Sequence, residues 1–536
     1  MIKKINEIFK RYYYILTSLL MFMSFPVYDI WFLKGFSFFA WFAFIPLFIF
    51  VRGKSFRVVY TSSFFATLLG NFLLYNWIGS FGADMAGGYY IVLTFLIPAL
   101  SVFSAAKIVI AEFFSRRFEK VRIFIYPSVW ILIDFIQSIG YNAFPWTYTA
   151  YSQYPFTSFI QISSYIGILG ITFIIIISNS ILSDLIYTKM NSKLYFRDLI
   201  QTSQFFKFII LIIFLNCMWG FGWYILSENR EEGSSDIRFS IIQSCISPWE
   251  NWRVNRFKYL KDLKLLTDMS LNYDPDLIIW SESATLERIS YHYEIDNLNS
   301  FEKSVLEIAA ISKKPLLTGE IGVYRDYLSK SYYPQNNAVL INKEGEVVKK
   351  YSKINLVPFG EWFPYEKWFP FIKDLLIQFG GSSFVPGDTP VVFNIHGANF
   401  GVLICYEGIF YRLCRKYKNL GADFLVNITN DGWTDSYAGH MQHFSASIFR
   451  AIENGLWYIR AGNTGYTAII DPFGRIKKSL PILKKDFLTG EIDLKLNHNT
   501  FYSKYGDIIL YIAICFIFIL AVIYYLSYIR KSYMKK

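Results

Sequence analysis

Residues 400–408, FGVLICYEG, form a short apolar run that ends at a cysteine and a glutamate. The run from Phe400 to Cys405 predicts a buried strand, because it is short and apolar throughout. We expect a helix to begin directly after it, which would expose the thiol on a tight strand-to-helix corner and favour the thiolate. The alternative is that Cys405 is a small buried hydrophobe, as free cysteines often are.

Two other polar side chains follow apolar strands in the same way. Glu282 ends an apolar strand in the run 277–284, LIIWSESA, where a buried carboxylate could take a proton from a thiol. Lys353 lies in the run 351–361, YSKINLVPFGE, where a fixed ammonium could stabilise an oxyanion and a neighbouring thiolate. Taken alone, Glu282 is more simply interpreted as an exposed glutamate at a strand end, and Lys353 as a solvated lysine.

Four further polar residues have open roles. Glu361 lies in a loop rich in proline, glycine and aromatic residues, so it belongs either to a lid or to a second catalytic carboxylate. Glu407 is either a first-turn helix carboxylate or a support for Lys353. His440 and His443 have helical i, i+3 spacing, but no HExxH pattern or third ligand accompanies them. For both histidines we therefore favour surface or interhelical hydrogen bonding over a metal site.

Around these runs, strand-like and helix-like segments alternate, which favours a layered α/β fold. A hairpin is predicted over 337–350, with its turn at 343–345. Further strands are predicted at 236–245, 276–280, 315–322, 400–405 and 424–428. Helices are predicted at 254–269, 301–311 and 440–455, and the first of these has apolar residues at every third or fourth position.

The composition divides the chain into three parts. Hydrophobic residues make up 54% of the 536 residues and charged residues only 18%, against roughly 25% charged in an average globular protein. We predict a transmembrane domain of about seven helices at 1–226, a catalytic domain at 227–503, and a final transmembrane helix with its tail at 504–536. The eight candidate spans are 12–28, 36–51, 58–80, 87–111, 123–140, 156–183, 207–226 and 507–528.

Basic residues alternate between the short loops, and this alternation predicts an orientation. They cluster before the first span, after the second, fourth and sixth spans, and at the C-terminus, whereas the intervening loops are nearly free of them. The positive-inside rule then predicts that both termini are cytoplasmic. Because an odd number of spans precedes the catalytic domain, that domain is predicted to lie outside the cytoplasmic membrane. Asp134 falls within the fifth span, and we expect it to bond a neighbouring helix.

Charge and cysteine content argue against two classes of function. The formal net charge is +12, but the excess lies beside apolar runs, and no basic stripe favours binding of nucleic acid. Two of the five cysteines lie inside apolar runs, and neither a disulfide framework nor a Cys-x-x-Cys pattern occurs. Any function of cysteine is therefore expected to depend on a single thiol.

In combination, the three strand-end residues resemble the Glu-Lys-Cys triad of the nitrilase superfamily, in order and in local context. Over nearly its full length the chain resembles the membrane-bound branch of that superfamily, the bacterial apolipoprotein N-acyltransferases. The matching blocks are FPW at 144–146, YSQ at 151–153, Gln243, Trp252, PFGE at 358–361, CYE at 405–407, NDGW at 430–433 and RAGNTG at 460–465. Ser281 and Gly432 depart from that family's usual proline and alanine.

The resemblance implies an αββα nitrilase-like sandwich on a helical membrane domain of about eight transmembrane helices. It implies that Glu282 acts as general base and acid, that Lys353 holds the oxyanion, and that Cys405 forms a thioester. The implied supporting or substrate-binding residues are Glu361, Tyr406, Glu407, Trp252 and Trp433, of which the two tryptophans would line lipid-facing or lid surfaces.

The implied partners are a phospholipid acyl donor and the diacylglyceryl-modified cysteine of an apolipoprotein, whose α-amino group takes the acyl chain. No metal or cofactor is implied, and the location is a bacterial inner membrane with the catalytic domain on the periplasmic side. Two other classes stay open. A membrane-tethered amidase or nitrilase would share the triad but would not need eight spans, and a transporter would be expected to show internal repeats, which we do not find.

Overall fold

The computed structural model describes the chain except for residues 1, 30–35, 81–87, 141–142, 193–195, 230–234, 327–329, 364–365, 367, 371–382 and 535–536. The chain divides into two compact units. One unit comprises Met1–Gly79, Tyr89–Ser227 and Tyr505–Lys536, and the other comprises Ser80–Gly88 and Glu228–Lys504.

The first unit is built from helices. The longer ones are Ile2–Met23, Ile45–Val51, Phe56–Tyr75, Gly88–Arg117, Arg122–Ile136, Ser163–Asn191, Ser203–Glu228 and Ile508–Tyr533. Shorter helical turns are Phe36–Trp41, Asn76–Ser80, Glu119–Val121, Pro145–Thr147, Thr149–Gln153, Thr157–Ile160 and Phe196–Leu199. Each predicted span overlaps one of the longer helices.

In the described residues, five helices are long and apolar enough to cross a membrane, judged by length and composition. They are Phe56–Ser80, Leu93–Arg117, Ser163–Asn191, Ser203–Glu228 and Ile508–Tyr533. The apolar segment Phe36–Val51 is shorter. The helix Arg122–Ile136 has 15 residues, fewer than the roughly 20 that a spanning helix needs. The count of eight spans therefore stays a prediction.

A buried ion pair joins two of these helices. Lys107 on Gly88–Arg117 donates from Nζ to Oδ1 of Asp134 on Arg122–Ile136 at 2.5 Å, and both side chains are buried. The same ammonium lies 4.8 Å from the centre of the Trp130 ring. The predicted bond between Asp134 and a neighbouring helix is thus confirmed, and the pairing gives each buried charge a partner of opposite sign.

The second unit contains two six-stranded sheets. The strands are β1 (Ile237–Gln243), β2 (Leu277–Trp280), β3 (Leu316–Asp326), β4 (Ser331–Ile341), β5 (Val347–Ser352), β6 (Val392–Ile395), β7 (Ala398–Ile404), β8 (Phe424–Thr429), β9 (Trp457–Gly462), β10 (Thr467–Ile470), β11 (Ile476–Leu480) and β12 (Asp486–Ile492). The first sheet has the order β12-β1-β2-β3-β4-β5 and the second the order β11-β10-β9-β8-β7-β6. Strands β1 to β3 run parallel, as do β7 to β9, so each trio ends at one edge of its sheet.

Alternation along the strands builds a core between the sheets. On β2, Leu277 and Ile279 belong to the core shared with the second sheet, whereas Ile278 and Trp280 belong to the cluster under the helices. The outer layers are Trp252–Ser270 and Ser300–Ser312 on the first sheet, and Tyr411–Asn419 and Tyr437–Asn454 on the second. Further helical segments among the described residues are Leu271–Tyr273, Ile289–Glu294, Cys405–Ile409, Leu494–Leu496 and Phe501–Tyr505. The arrangement is the αββα sandwich that was predicted.

Candidate active site

Three predicted side chains follow strand ends in the second unit. Lys353 and Cys405 come directly after β5 and β7, and Glu282 comes two residues after β2. Cys405 has φ of 50° and Ser283, next to the glutamate, has φ of 55°. Positive φ is uncommon for residues other than glycine and costs conformational energy, so both turns must be held by their surroundings.

Glu282 is 4% exposed and fully hydrogen-bonded. Its Oε1 accepts from Asn336 Nδ2 at 2.8 Å, and its Oε2 accepts from the Asn430 N–H at 2.8 Å. Burial raises the pKa of Glu282, and the charge of Lys353 opposes that effect. Gly319 on β3 makes the close approach feasible, because a Cβ there would lie 2.9 Å from the Cα of Glu282. The result is a carboxylate that is buried, fixed and more basic than usual.

Lys353 is 1% exposed, and its ammonium lies between two carboxylates. Nζ is 2.7 Å from Glu361 Oε1 and 3.4 Å from Glu282 Oε1. Its main chain is fixed as well, because its N–H donates to Asn336 O at 2.8 Å and its carbonyl accepts from Gly387 N at 2.8 Å. Burial alone would lower the pKa of Lys353, but Glu361 and Glu282 outweigh it and raise the pKa, so the ammonium stays charged.

Glu361 is held from three sides. In addition to Lys353, Asn336 Nδ2 donates to its Oε1 at 3.0 Å, and the Val357 N–H donates to its Oε2 at 2.8 Å. The bond from Val357 ties the carboxylate to its own loop, and Asn336 bridges it to Glu282. Sequence reasoning left its role open between a lid and a second carboxylate, and the structure places it beside the ammonium.

Cys405 lies at the carboxyl end of β7 with its side chain partly exposed. The chain after it forms a 3₁₀ segment, Cys405–Ile409, and the α-helix Tyr411–Asn419 begins only after that. A helical segment therefore begins at the thiol as expected, but it is a short 3₁₀ turn rather than the start of an α-helix. Burial and the charge of Glu282 raise the pKa of Cys405 well above its usual range, while Lys353 opposes them. This shift favours the protonated thiol, in contrast to the predicted stabilisation of the thiolate by a helix terminus.

Glu407 fastens the cysteine corner to the loop that follows Lys353. Its Oε1 accepts from the Tyr351 hydroxyl at 2.7 Å, from Ile354 N at 2.7 Å and from Asn355 N at 3.1 Å. Its Oε2 accepts from Ile404 N at 2.8 Å. Burial raises the pKa of Glu407 to about 7. Both roles considered from the sequence are confirmed: Glu407 caps the first turn of the 3₁₀ helix through Ile404 N, and it supports the loop after Lys353 through Ile354 N and Asn355 N.

The remaining candidates have other surroundings. Tyr406 is buried, with its ring edge-on to Phe410. Trp252 donates from Nε1 to Glu287 at 3.0 Å and packs on Phe301, so these two contacts lie among the helices that cover the first sheet. Trp433 is 38% exposed and packs edge-on against Trp249. Roles for the two tryptophans in lining a lipid surface stay predictions.

A cluster behind the thiol was missed by sequence reasoning. His440 and His443 are both buried, so of the two expected roles the surface one is wrong, and His443 instead makes hydrogen-bond contacts in the interior. His443 Nδ1 lies 2.8 Å from Asp431 Oδ1, and Arg460 Nη2 donates to Asp431 Oδ2 at 2.7 Å. Burial would raise the pKa of Asp431, but the charges of Arg460 and His443 outweigh it and lower the pKa well below its usual range. Asp431 and Arg460 lie in the family blocks at 430–433 and 460–465, so the sequence marked them as candidates. Their spacing did not predict a contact with His443.

Donor atoms of Cys405, Asp431 and His443 all lie within 4.8 Å of one another. That spacing is compatible with a metal ion. However, His443 already contacts Asp431 through Nδ1 and the Cys405 carbonyl through Nε2. We therefore interpret the group as a hydrogen-bonded support for the cysteine corner.

Comparisons with known proteins match both units. A carbon-nitrogen hydrolase family model matches residues 260–500, and the apolipoprotein N-acyltransferase N-terminal domain model matches residues 17–181. Apolipoprotein N-acyltransferase 2 of Treponema denticola is 30% identical over 403 residues, which cover 73% of this chain and 74% of that protein. The apolipoprotein N-acyltransferase of Rickettsia bellii is 32% identical over 435 residues, covering 81% and 80% respectively.

A longer match reaches almost the whole chain. The apolipoprotein N-acyltransferase of Geobacter metallireducens is 28% identical over 525 residues, covering 97% of this chain and 95% of that protein. Among solved structures, an amidase from Nesterenkonia sp. is 17% identical and covers 53% of this chain and 98% of its own, with a TM-score of 0.38.

Proposed function

The chain belongs to the apolipoprotein N-acyltransferase family, and on that premise we propose that Cys405 carries the acyl group between two lipid substrates. The protein is a multi-pass membrane enzyme that N-acylates lipoproteins. In the proposed reaction, Glu282, Lys353 and Cys405 form the catalytic triad. A phospholipid donates the acyl group, and a thioester on Cys405 is the covalent intermediate.

One observation carries the assignment of the triad. A buried carboxylate and a buried ammonium lie 3.4 Å apart, and their charges shift the pKa of the Cys405 thiol in opposite directions. A protonated thiol needs a base, and an attacked ester needs a cation or N–H donor beside its oxygen. Glu282 and Lys353 supply these two groups at one strand-end cluster.

In the first half-reaction, Glu282 takes the thiol proton as the sulfur of Cys405 attacks the ester carbonyl of a phospholipid. The carbonyl oxygen becomes an oxyanion, which the Lys353 ammonium stabilises. The tetrahedral intermediate collapses with cleavage of the ester C–O bond, and Glu282 returns its proton to the departing oxygen. The products are an acyl thioester on Cys405 and a lysophospholipid.

In the second half-reaction, the α-amino group of a diacylglyceryl-modified cysteine attacks the thioester carbonyl. Glu282 takes a proton from the attacking nitrogen, and the C–S bond breaks. The products are an amide and the free thiol, with the proton returned to sulfur. A covalent intermediate allows one pocket to serve two bulky lipids in turn.

Glu361 has a supporting role in this scheme. Because it lies closer to Lys353 Nζ than Glu282 does, it keeps the ammonium charged and in place while Glu282 gains and loses a proton. Glu407 fixes the cysteine corner to the Lys353 loop through its four hydrogen bonds. Tyr406, Trp252 and Trp433 are proposed to support or line the lipid-binding surface.

The proposed setting is a bacterial inner membrane. We assign residues 1–226 to the transmembrane domain, 227–503 to the catalytic domain and 504–536 to the last transmembrane helix and its tail. The alternating basic loops support cytoplasmic termini and a periplasmic catalytic domain. On that side of the membrane the catalytic domain would meet lipoprotein substrates after their export.

The thioester can be tested with phospholipid alone. Without an amine acceptor, we expect one equivalent of lysophospholipid in a burst, together with an acyl mass on Cys405, because the bound acyl chain should exclude the water that would hydrolyse the thioester. Neutral hydroxylamine should release the acyl hydroxamate. A diacylglyceryl peptide with a free α-amine should discharge the enzyme, and the N-blocked peptide is the matched control.

The reaction does not proceed through Cys405 if peptide acylation continues while hydroxylamine releases no acyl group from lipid-treated enzyme. A membrane-tethered amidase would give no lipid-derived adduct.

A further inference from the structure

The main-chain carbonyl of Cys405 accepts two hydrogen bonds from buried side chains. His443 Nε2 lies 3.1 Å from this oxygen, and Asn427 Nδ2 donates to it at 3.2 Å. Both residues are at most 2% exposed. A carbonyl oxygen can only accept, so Nε2 of His443 must carry the hydrogen in this contact. Two donors from different elements therefore converge on the backbone of a single residue.

One arginine holds both donors in place. Arg460 Nη1 donates to Asn427 Oδ1 at 2.7 Å, which leaves the amide nitrogen of Asn427 directed at Cys405. Arg460 Nη2 donates to Asp431 Oδ2 at 2.7 Å and lies 3.0 Å from His443 Nδ1. Asp431 lies on the same side of the imidazole, so the pair fixes the orientation of the ring. Gly465 leaves room for this carboxylate, because a Cβ there would lie 2.0 Å from Asp431 Oδ2.

The backbone that these groups hold is strained. Cys405 has φ of 50°, a left-handed conformation that is unfavourable for a residue with a Cβ. Such a conformation persists only where the surroundings determine it. The hydrogen bonds from His443 and Asn427 hold the carbonyl of the Cys405–Tyr406 peptide, which directly follows the strained φ angle.

That peptide group also carries the N–H of Tyr406. In a planar trans peptide the C=O and N–H bonds point in opposite directions. Holding the Cys405 carbonyl therefore also sets the direction of the Tyr406 N–H. On a strand-to-turn nucleophile corner, the N–H of the following residue is the one that faces the developing oxyanion. Hydrogen bonds accepted by the carbonyl also polarise the peptide and strengthen its N–H as a donor.

We propose that His443 and Asn427, held by Arg460 and Asp431, are positioning residues that lock the Cys405–Tyr406 peptide so that its N–H stabilises the oxyanion during acyl transfer. The proposal rests on the assignment of Cys405 as the nucleophile. If His443 and Asn427 only packed the core, their loss would slow acyl transfer and thiol alkylation together. A positioning role predicts slower acyl transfer with thiol reactivity retained. Alkylation of a thiol by iodoacetamide passes through no oxyanion, so it serves as the internal reference.

The experiment compares His443→Gln with His443→Asn in the full-length enzyme. A glutamine can place its amide nitrogen near the position of Nε2, whereas the shorter asparagine reaches only the position of Nδ1. For the asparagine variant we expect the lysophospholipid burst to slow by about 10²-fold, the scale of a small misplacement at a reacting centre. The glutamine variant should recover most of that loss, and Cys405 should be alkylated at a similar rate in both variants.

Ser445 provides the matched control. It lies two residues later on the same helix, is also buried, and its hydroxyl donates to Gln442 O at 2.7 Å within the helix. Ser445→Ala should leave the ratio of burst rate to alkylation rate near that of the unmodified enzyme. Asn427→Leu removes the second donor at nearly constant size, and it serves as the second variant if His443→Asn does not fold. It should lower the ratio in the same direction.

The outcomes separate the two levels of the proposal. If the unmodified enzyme forms no thioester although Cys405 is alkylated, the nucleophile assignment fails. If the thioester forms but the glutamine and asparagine variants acylate equally, or if alkylation falls in step with acylation, the peptide-locking role is wrong.

Discussion

The ammonium of Lys353 is bound more closely by Glu361, at 2.7 Å, than by Glu282, at 3.4 Å. Two buried carboxylates therefore share one cation unequally. The closer one also accepts from the Val357 N–H, so it acts as a fixed counter-charge. The more distant one is left with a raised pKa and is suited to exchange a proton with Cys405.

Lys353 is expected to act through its charge. Lys353→Met keeps most of the side-chain stem and removes the ammonium, so we expect acylation to slow by about 10²-fold or more, as when an oxyanion donor is lost. Lys350→Met is the control, because Lys350 lies three residues earlier in an exposed ion pair with Glu294. Burst kinetics of both variants provide the measurement, and a near-normal rate in Lys353→Met would make this lysine structural only.

Glu282 and Cys405 are expected to act as one unit. Glu282→Gln and Cys405→Ala should each abolish turnover, and the double variant should be little worse than either single one, because each change removes the same proton-transfer step. Thermal unfolding of all three variants checks that they fold. Losses that add in the double variant would show that the two residues act separately.

The acylation rate should fall with acidification at a pH above the usual range for glutamate. Burial raises the pKa of Glu282, so its carboxylate is lost as the pH falls through that raised value, and with it the base. An ordinary glutamate titrates near 4.3. Burst rates measured across the acid and neutral range test this expectation, and a midpoint at the ordinary value would contradict it.

Glu407→Gln is expected to lower stability. The amide oxygen can replace Oε1, which accepts from Tyr351, Ile354 and Asn355, but the amide nitrogen would then face the Ile404 N–H. An unsatisfied buried donor costs about 1–3 kcal/mol, which thermal unfolding would detect. Glu344→Gln, an exposed change in the β4–β5 turn, is the control. Equal unfolding temperatures for the two variants would contradict a role of Glu407 in holding the cysteine corner to the Lys353 loop.

Orientation can be tested with an impermeant thiol reagent applied to cells whose outer membrane has been permeabilised. A cysteine introduced at Lys343 should be labelled, and one added at the C-terminus should be protected, because the basic loops predict cytoplasmic termini. Labelling of the C-terminal position with protection of position 343 would reverse the topology.

Strand ends could be predicted from sequence because they follow short apolar runs. Glu282, Lys353 and Cys405 all come after such runs, and the family resemblance then joined them into one site. The lengths of β3 and β4 were underestimated. β3 extends to Asp326 and β4 begins at Ser331, where exposed tyrosine and arginine side chains interrupt the apolar alternation that marks a strand.

Residues that support the site were harder to find. Asn336 and Asn427 are polar side chains inside buried strands, and a polar residue at a core position has no periodic signal of its own. His443 lies on a helix with every residue from Ala438 to Asn454 buried, so helical spacing alone could not show which face meets the thiol. Their partners are distant in sequence, and only the packing of the strands brings them together.

The ion pair between Lys107 and Asp134 has a consequence for biogenesis. Lys107 emerges from the ribosome before its partner, and a lone lysine at the centre of an inserting helix costs about 2.5–3.5 kcal/mol. The charge is compensated only when the segment Arg122–Ile136 follows, after a short turn at Glu119–Val121. If both segments insert, as predicted, we expect them to enter the lipid together, because Asp134 then compensates the charge of Lys107.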